Sequence, residues 1–372
     1  MPEVVFLPWL GCGQRWSAAG VQVVPQAKYL ASLDREPRDW LKKYFDRYVK
    51  RDGRTPVSTI CVVTGGGSTA QVFRRVRVVA ASQLVYSHAD ALCQGSGLLG
   101  PRAERWMVLV QRFDPSREWV ALLDGRTLQL WRVDQFIEVE PVSAGDVVRA
   151  VDEPVVAMAE ALLQEQGDED FLTGIDLLVE AFRTTTEHVV RLNFVLAGTA
   201  LELLTGATET RRKRIRIAET LKRAIEAAAD GYPGESDSVR KKVTRARRVD
   251  PALVYMWMAG CEACSKGTCA RHANKFLGFY ERRNKVTHEG AAGDELTRHQ
   301  RPDDGQRHRW PVEEGEVENG EIGGAHAVDA ALVMVGWLLL ERVGSRLERE
   351  AWEMWCETLD RAAAALGMGR NS

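Results

Sequence analysis

Apolar and polar positions alternate in short runs over the first part of the chain, and beyond Pro141 they recur at helical spacing instead. The run VSTICVV (57–63) is β-branched and stops at the turn Gly65-Gly66-Gly67. RWMVLVQRF (105–113), EWVALLD (118–124) and TLQLWRV (127–133) read as further strands, the last with apolar and polar residues alternating. Between them, residues 72–92 carry Val72, Val76, Val79, Leu84 and Val85 at the spacing of a helix. Residues 39–48 place Trp40, Leu41, Tyr44, Phe45 and Tyr48 on one amphipathic face. About four to six strands are expected in this part of the chain.

After Pro141 the strand signals stop. Segments 154–164, 171–185, 187–204, 211–229, 236–248, 275–287 and 325–347 each have helical periodicity, and 352–365 closes the chain. The expected fold is α+β overall: an N-terminal mixed α/β domain over 1–150, followed by an all-α helical bundle over 165–350 and a C-terminal helix or tail over 351–372. Gly231-Tyr232-Pro233-Gly234 is a turn between helices. Residues 291–324 are Gly-rich, polar and strongly charged, and read as a flexible surface insertion.

Composition narrows the setting. Apolar residues make up 45 % and charged residues 27 %, the balance of a soluble globular chain. A net charge of −2 gives no overall nucleic-acid signature, so any such patch must be local. The longest apolar run, 327–340, is broken by Asp329 and Gly336 and is too short to span a bilayer. MPEVVFLPWLGCG lacks the basic start and long apolar core of a signal peptide. Seven cysteines, an odd and mostly scattered set, suit a reducing compartment. The expected location is therefore the cytoplasm, with no membrane partner.

The candidate chemistry lies in FYERRNKVTHEG (279–290), where Arg283 and Asn284 precede His288 at the end of a helix that Gly290 can cap. Asn284 and His288, four apart, share a face, whereas Arg283 and His288 are roughly 140° apart on an ideal helix. They converge if the helix frays, if both reach a groove lined by another helix, or if a second subunit supplies one of them. A permanent cation, a histidine that titrates near neutrality and an amide suit a phosphodiester. The histidine can take a proton from a ribose 2′-OH or give one to the leaving 5′-oxygen, and the arginine can steady charge on the phosphoryl oxygens. The competing reading is structural: Arg and His at a helix C-terminus meet the helix dipole favourably.

The stretch KFLGFYERRNKVTHEG resembles the active-site helix of HEPN-domain proteins, whose ribonuclease members carry an Arg, often followed by a polar residue, and a His four to six residues after the Arg. Phe279-Tyr280 before it and Glu289-Gly290 after it are similar to the Apea-like branch of that family. RLNFVLAGTALELLTG (191–206) resembles the earlier HEPN helix with its Ala-Leu-Glu-x-Leu core, and HAVDAALVMVGWLLLERV would be the closing helix. The resemblance covers roughly residues 170–350. It implies a bundle that forms a homodimer with two Arg/His sets at a shared cleft. It also implies RNA cleavage without a metal, leaving a 2′,3′-cyclic phosphate, in prokaryotic antiphage defence or as a toxin against transfer or messenger RNA. Carried over by position, Arg283 and His288 would be catalytic and Asn284 orienting, with Glu202 and Tyr280 supporting; Glu202 reads equally as an ordinary helix glutamate. The insertion 291–324 and a cysteine cluster depart from the family pattern.

That cluster is Cys261, Cys264, Cys269 and His272, a C-x2-C-x4-C-x2-H array with Gly267 at the reversal. Four such ligands suit tetrahedral zinc in a structural role, fixing the helix that follows. Unligated thiols and a redox-responsive set are the alternatives, and residues 253–265 could continue one helix. Positive charge concentrates at Arg211, Arg212, Lys213 and Arg214, and again at Lys241 and Lys242, with Lys285 beside the candidate site. This reads as an RNA backbone track or as solvated helix faces. The turn at 64–69 has the position of a phosphate loop but lacks its Lys-Ser/Thr ending, and reads as a tight strand-to-helix turn.

The favoured expectation is a metal-independent endoribonuclease whose N-terminal domain senses a phage-derived or small-molecule trigger, or restrains the nuclease. The rivals are a HEPN bundle kept for dimerisation or RNA binding without turnover, and a zinc-stabilised regulatory protein.

Overall fold

The computed structural model describes residues 3–7, 10–11, 14–18, 20–45, 48–50, 59–63, 69–93, 109–111, 119–124, 127–132, 137–139, 149–150, 153–165, 168–183, 190–207, 212–233, 249–260, 278–284 and 322–368. The chain is α+β and divides into two compact units, one of residues 1–83 and 102–167, the other of 84–101 and 168–372.

The first unit is built on a seven-stranded sheet. Its strands are β1 (Glu3–Leu7), β3 (Trp16–Ala18), β4 (Val21–Pro25), β6 (Thr59–Val63), β7 (Leu109–Gln111), β8 (Trp119–Asp124) and β9 (Thr127–Arg132). The order is β3-β4-β6-β1-β7-β8-β9, antiparallel at every pairing. The β-branched runs EVVFL, VQVVP and TICVV fill its middle, where a pleated strand favours them, and Val21, Val23 and Val24 of the second are buried. The β8–β9 pair runs antiparallel from Trp119↔Arg132 to Asp124↔Thr127, two segments that the sequence reads as strands. Two short parallel pairs join β10 (Ile137–Val139) to β5 (Tyr48–Lys50) and β11 (Arg149–Ala150) to β2 (Leu10–Gly11). Helix α1 (Gln26–Ala31) packs on β4, and α4 (Glu153–Gln164) on β3.

The sheet is larger than the periodicity suggests, because β1, β3 and β4 are short and sit among turns. Helix α2 spans Arg35–Phe45, earlier than the expected 39–48, and Tyr48 begins β5 instead. Helix α3 (Thr69–Cys93) contributes its first part to this unit and residues 84–93 to the other, a segment that the sequence pattern assigns to the N-terminal domain. Residues 76–89 of α3 are buried all round, which is why its apolar stripe is indistinct.

The second unit is helical. It contains α5 (Glu169–Arg183), α6 (Val190–Leu204), α7 (Lys213–Ala229), α8 (Pro251–Ala259), α9 (Phe279–Asn284), α10 (Ile322–Val343) and α11 (Arg349–Ala363). Helices α5 and α6 pack closely, and a Cβ on Gly174 would stand 2.9 Å from Leu204 Cγ. Helix α10 is the axis, buried from Ala330 to Leu340 and packed on α6, α7 and α11. Gly336, which breaks the apolar run of this helix, marks a contact: a Cβ there would come 2.4 Å from Leu359 Cδ2 and 3.0 Å from Val85 Cγ1. Helix α10 begins at Ile322, so the last three residues of the expected 291–324 insertion are helical. Tyr86 meets Trp355 edge to face at 4.9 Å, and Trp352 meets Tyr232 at 5.7 Å, tying α11 to residues 84–93 and to the turn after α7. Among the described residues no helix is long and apolar enough to cross a membrane.

Candidate active site

Two short stretches build the site. On α6, Gly198 and Glu202 are four apart and Thr199 stands beside Gly198, so all three share one helical face. On α9, Tyr280, Arg283 and Asn284 fall at i, i+3 and i+4. The helices meet face to face because one has a glycine where the other has its arginine. A Cβ on Gly198 would stand 2.9 Å from Arg283 Cγ and 3.5 Å from Cδ, so the arginine stem lies along bare α6 backbone.

Helix α9 is fixed from behind. Phe279 stacks on Trp257 of α8 with centroids 4.9 Å apart and planes at 29°. Gly278 crosses the end of α8, where a Cβ would fall 2.3 Å from Gly260 N and 2.5 Å from Met258 O. Only glycine tolerates that backbone approach. Gly278 is not helical, so α9 starts at Phe279 and not at the expected residue 275. Helix α8 stops at Ala259, capped by Gly260 at φ 79°, so the helix considered for residues 253–265 ends before Cys261.

Glu202 is the centre of the cluster, buried between the helices. Its Oε1 accepts the Tyr280 hydroxyl proton at 2.6 Å and lies 3.2 Å from Arg283 Nη2. Its Oε2 accepts from Lys213 Nζ at 2.7 Å. Arg283 Nη2 also donates to Thr199 Oγ1 at 3.0 Å, and Nη1 to Asn284 Oδ1 at 3.1 Å. Thr199 gives its own proton to the Val195 carbonyl at 2.9 Å, which leaves oxygen lone pairs for the guanidinium. The guanidinium carbon stands 5.5 Å from the Tyr280 ring centroid. Beside the cluster, Arg214 pairs with Glu281.

Burial pushes the Tyr280 phenol well above its ordinary value, and the hydrogen bond to Glu202 and the charge of that carboxylate push it further; Arg283 pulls it back by less. Tyr280 is therefore a neutral donor throughout the physiological range. The arrangement presents a fixed guanidinium, braced by one buried carboxylate and a threonine, at the end of a helix. Such a group can neutralise charge on a phosphoryl or carboxylate oxygen with little rearrangement.

The structure thus brings together Arg283, Asn284, Glu202 and Tyr280. Of the basic track, Lys213 and Arg214 turn inward onto Glu202 and Glu281, whereas Arg212 and Arg216 are exposed. His288, Arg211, Lys241, Lys242 and Lys285 lie outside the described residues, as do Cys261, Cys264, Cys269 and His272 and the turn at 64–68. Among the described residues no cluster of three or more His, Cys, Asp or Glu side chains forms a metal site. Sequence reasoning missed Gly198, Thr199 and the inward turn of Lys213. The i, i+4 step from Gly198 to Glu202 was a readable signal for the first two. The Lys213 contact spans the α6–α7 connection and had none. No protein-family model matches the chain, and neither the curated proteins nor the solved structures yield a match.

Proposed function

We propose that the helical unit is a HEPN-type endoribonuclease that cuts RNA without a metal. Its chemistry uses the ribose itself. His288 takes the proton from the 2′-OH, the 2′-oxygen attacks the adjacent phosphorus, and the bond from phosphorus to the 5′-oxygen breaks. That oxygen leaves as a hydroxyl by taking a proton from a His288 imidazolium, which returns the histidine to its neutral form, and the other product ends in a 2′,3′-cyclic phosphate. Arg283 carries the charge gathering on the phosphoryl oxygens, and Asn284 orients it. The observation that supports this most is the bracing of Arg283: a buried glutamate from α6 and a threonine hold its guanidinium in one place, five residues ahead of His288. A site that stabilises a transition state needs its cation placed beforehand.

In this reading the protein works in the cytoplasm of a prokaryote as a homodimer, in antiphage defence or as a toxin, on transfer or messenger RNA. The sheet-bearing unit senses the trigger or restrains the nuclease. A structural zinc at Cys261, Cys264, Cys269 and His272 would steady the approach to α9 and take no part in cleavage. The direct test is a set of oligonucleotides of one sequence in RNA, DNA and single 2′-deoxy forms. The reading expects cleavage of RNA, none of DNA, and loss of each cut whose 5′-side nucleotide is 2′-deoxy. Cleavage of the DNA strand would refute it.

One observation favours a second reading. Arg283 is already engaged by Glu202 and Thr199, so the same contacts can serve as a crosslink between α6 and α9 in a bundle that binds RNA or dimerises without turnover. That reading expects the full-length protein to bind RNA and to give no cut products.

A further inference from the structure

The groups around Glu202 differ sharply in exposure. The Glu202 side chain is 5 % exposed, Arg283 13 % and Lys213 35 %. Lys213 is thus the accessible cation of a cluster whose other charges are largely covered. Its Nζ takes only Oε2 of the carboxylate, while Oε1 is served by Tyr280 and Arg283. If Lys213 leaves, Glu202 still has two partners and Arg283 keeps its brace. The stems differ too. The Arg283 carbons are boxed against Gly198, whereas a lysine ammonium is a point charge on four flexible carbons and exchanges anionic partners readily. The charges also fit. Arg283 and Lys213 carry two positive charges against the single negative charge of Glu202, so one phosphodiester brings the group to neutrality.

We propose that Lys213 is the residue of this site that captures the RNA phosphate, exchanging Glu202 Oε2 for a phosphate oxygen next to Arg283. The proposal rests on the ribonuclease reading. It makes Lys213 a substrate-binding group inside the Arg283 cluster, separate from any surface track formed by Arg212 and Arg216. Its loss should fall on capture of RNA, and loss of Arg283 on turnover.

The test uses the full-length protein. Cleavage of one RNA is followed for wild type, Lys213→Ala, Lys213→Arg and Arg283→Ala, with KM and kcat separated. Binding of the same RNA is measured with His288→Ala and His288→Ala/Lys213→Ala over a series of salt concentrations. Thermal midpoints show which variants are folded, and Lys213→Arg keeps the ion pair should Lys213→Ala fail to fold. The expected result is a KM raised about tenfold in Lys213→Ala with a much smaller change in kcat, recovered in Lys213→Arg. The log–log salt slope of binding should fall by about one. Unchanged KM and salt slope in a folded Lys213→Ala, with wild type cutting and Arg283→Ala not, would overturn the Lys213 proposal and leave the ribonuclease standing. No cleavage by wild type would overturn the ribonuclease reading and the proposal with it.

Discussion

At the scale of single residues, Glu202 joins the others. Tyr280, Arg283 and Lys213 all reach it, so its removal leaves the largely covered Arg283 without its carboxylate partner. Breaking a buried ion pair by deleting one partner costs about 3–5 kcal/mol. Glu202→Ala should lose stability near the lower end of that range, because Lys213 can turn to solvent. Denaturant unfolding measures it; a loss under about 1 kcal/mol would show that the carboxylate is not holding the cluster together. Tyr280 gives a pH test. Folding raises its phenol above the ordinary 10.0, so the native state keeps a proton that the unfolded chain releases in alkali. The contribution is present in full below about pH 10 and is lost as the pH climbs beyond. Wild-type stability should therefore fall more steeply above that pH than the stability of Tyr280→Phe. Parallel curves for the two proteins would mean that the phenol titrates normally.

At the scale of elements, the site depends on how closely α6 and α9 approach. Gly198→Ala inserts a methyl group 2.9 Å from Arg283 Cγ, closer than two carbons allow. The arginine stem must shift, and if Arg283 serves cleavage as proposed, its displacement should lower kcat by about 100-fold with only a small change in thermal midpoint. Wild-type kcat in Gly198→Ala would argue against a fixed guanidinium. The element scale is also where the sequence reads best. Helices α4 to α7, α10 and α11 lie within a few residues of where their apolar spacing puts them, since each buries one strong stripe or a continuous apolar surface. The misses have local causes. Gly278 and Gly260 end or delay helices because two backbones cross there, a tertiary fact that composition does not carry. Strands β1, β3 and β4 were overlooked because runs of three to five residues between turns show too little alternation to register. Glu202 was singled out from its surrounding motif. Its pairing with Lys213 was illegible, because no periodicity links residues on different helices.

At the scale of the whole molecule, the chain is α+β with a sheet-based unit and a helical one. Residues 84–93 belong to the helical unit, where Tyr86 packs on Trp355 and the Cys93 thiol donates to the Thr358 carbonyl. A fragment of residues 168–372 therefore lacks part of its own core, and should unfold at lower denaturant than the helical unit of the full chain. Equal midpoints would show that this segment contributes nothing to the core. The proposed function also requires two copies. Sedimentation at micromolar concentration should give twice the 41.5 kDa of the chain, and a clean monomer would count against a shared cleft.

The central claim is that Arg283 and His288 together cut RNA, and its most direct measurement is cleavage of a mixed RNA pool in excess EDTA. Wild type is compared with Arg283→Ala and His288→Ala, and the product ends are analysed. The account predicts 2′,3′-cyclic phosphate ends from wild type and a loss of at least about 100-fold in either variant. Equal cleavage by all three proteins would contradict it.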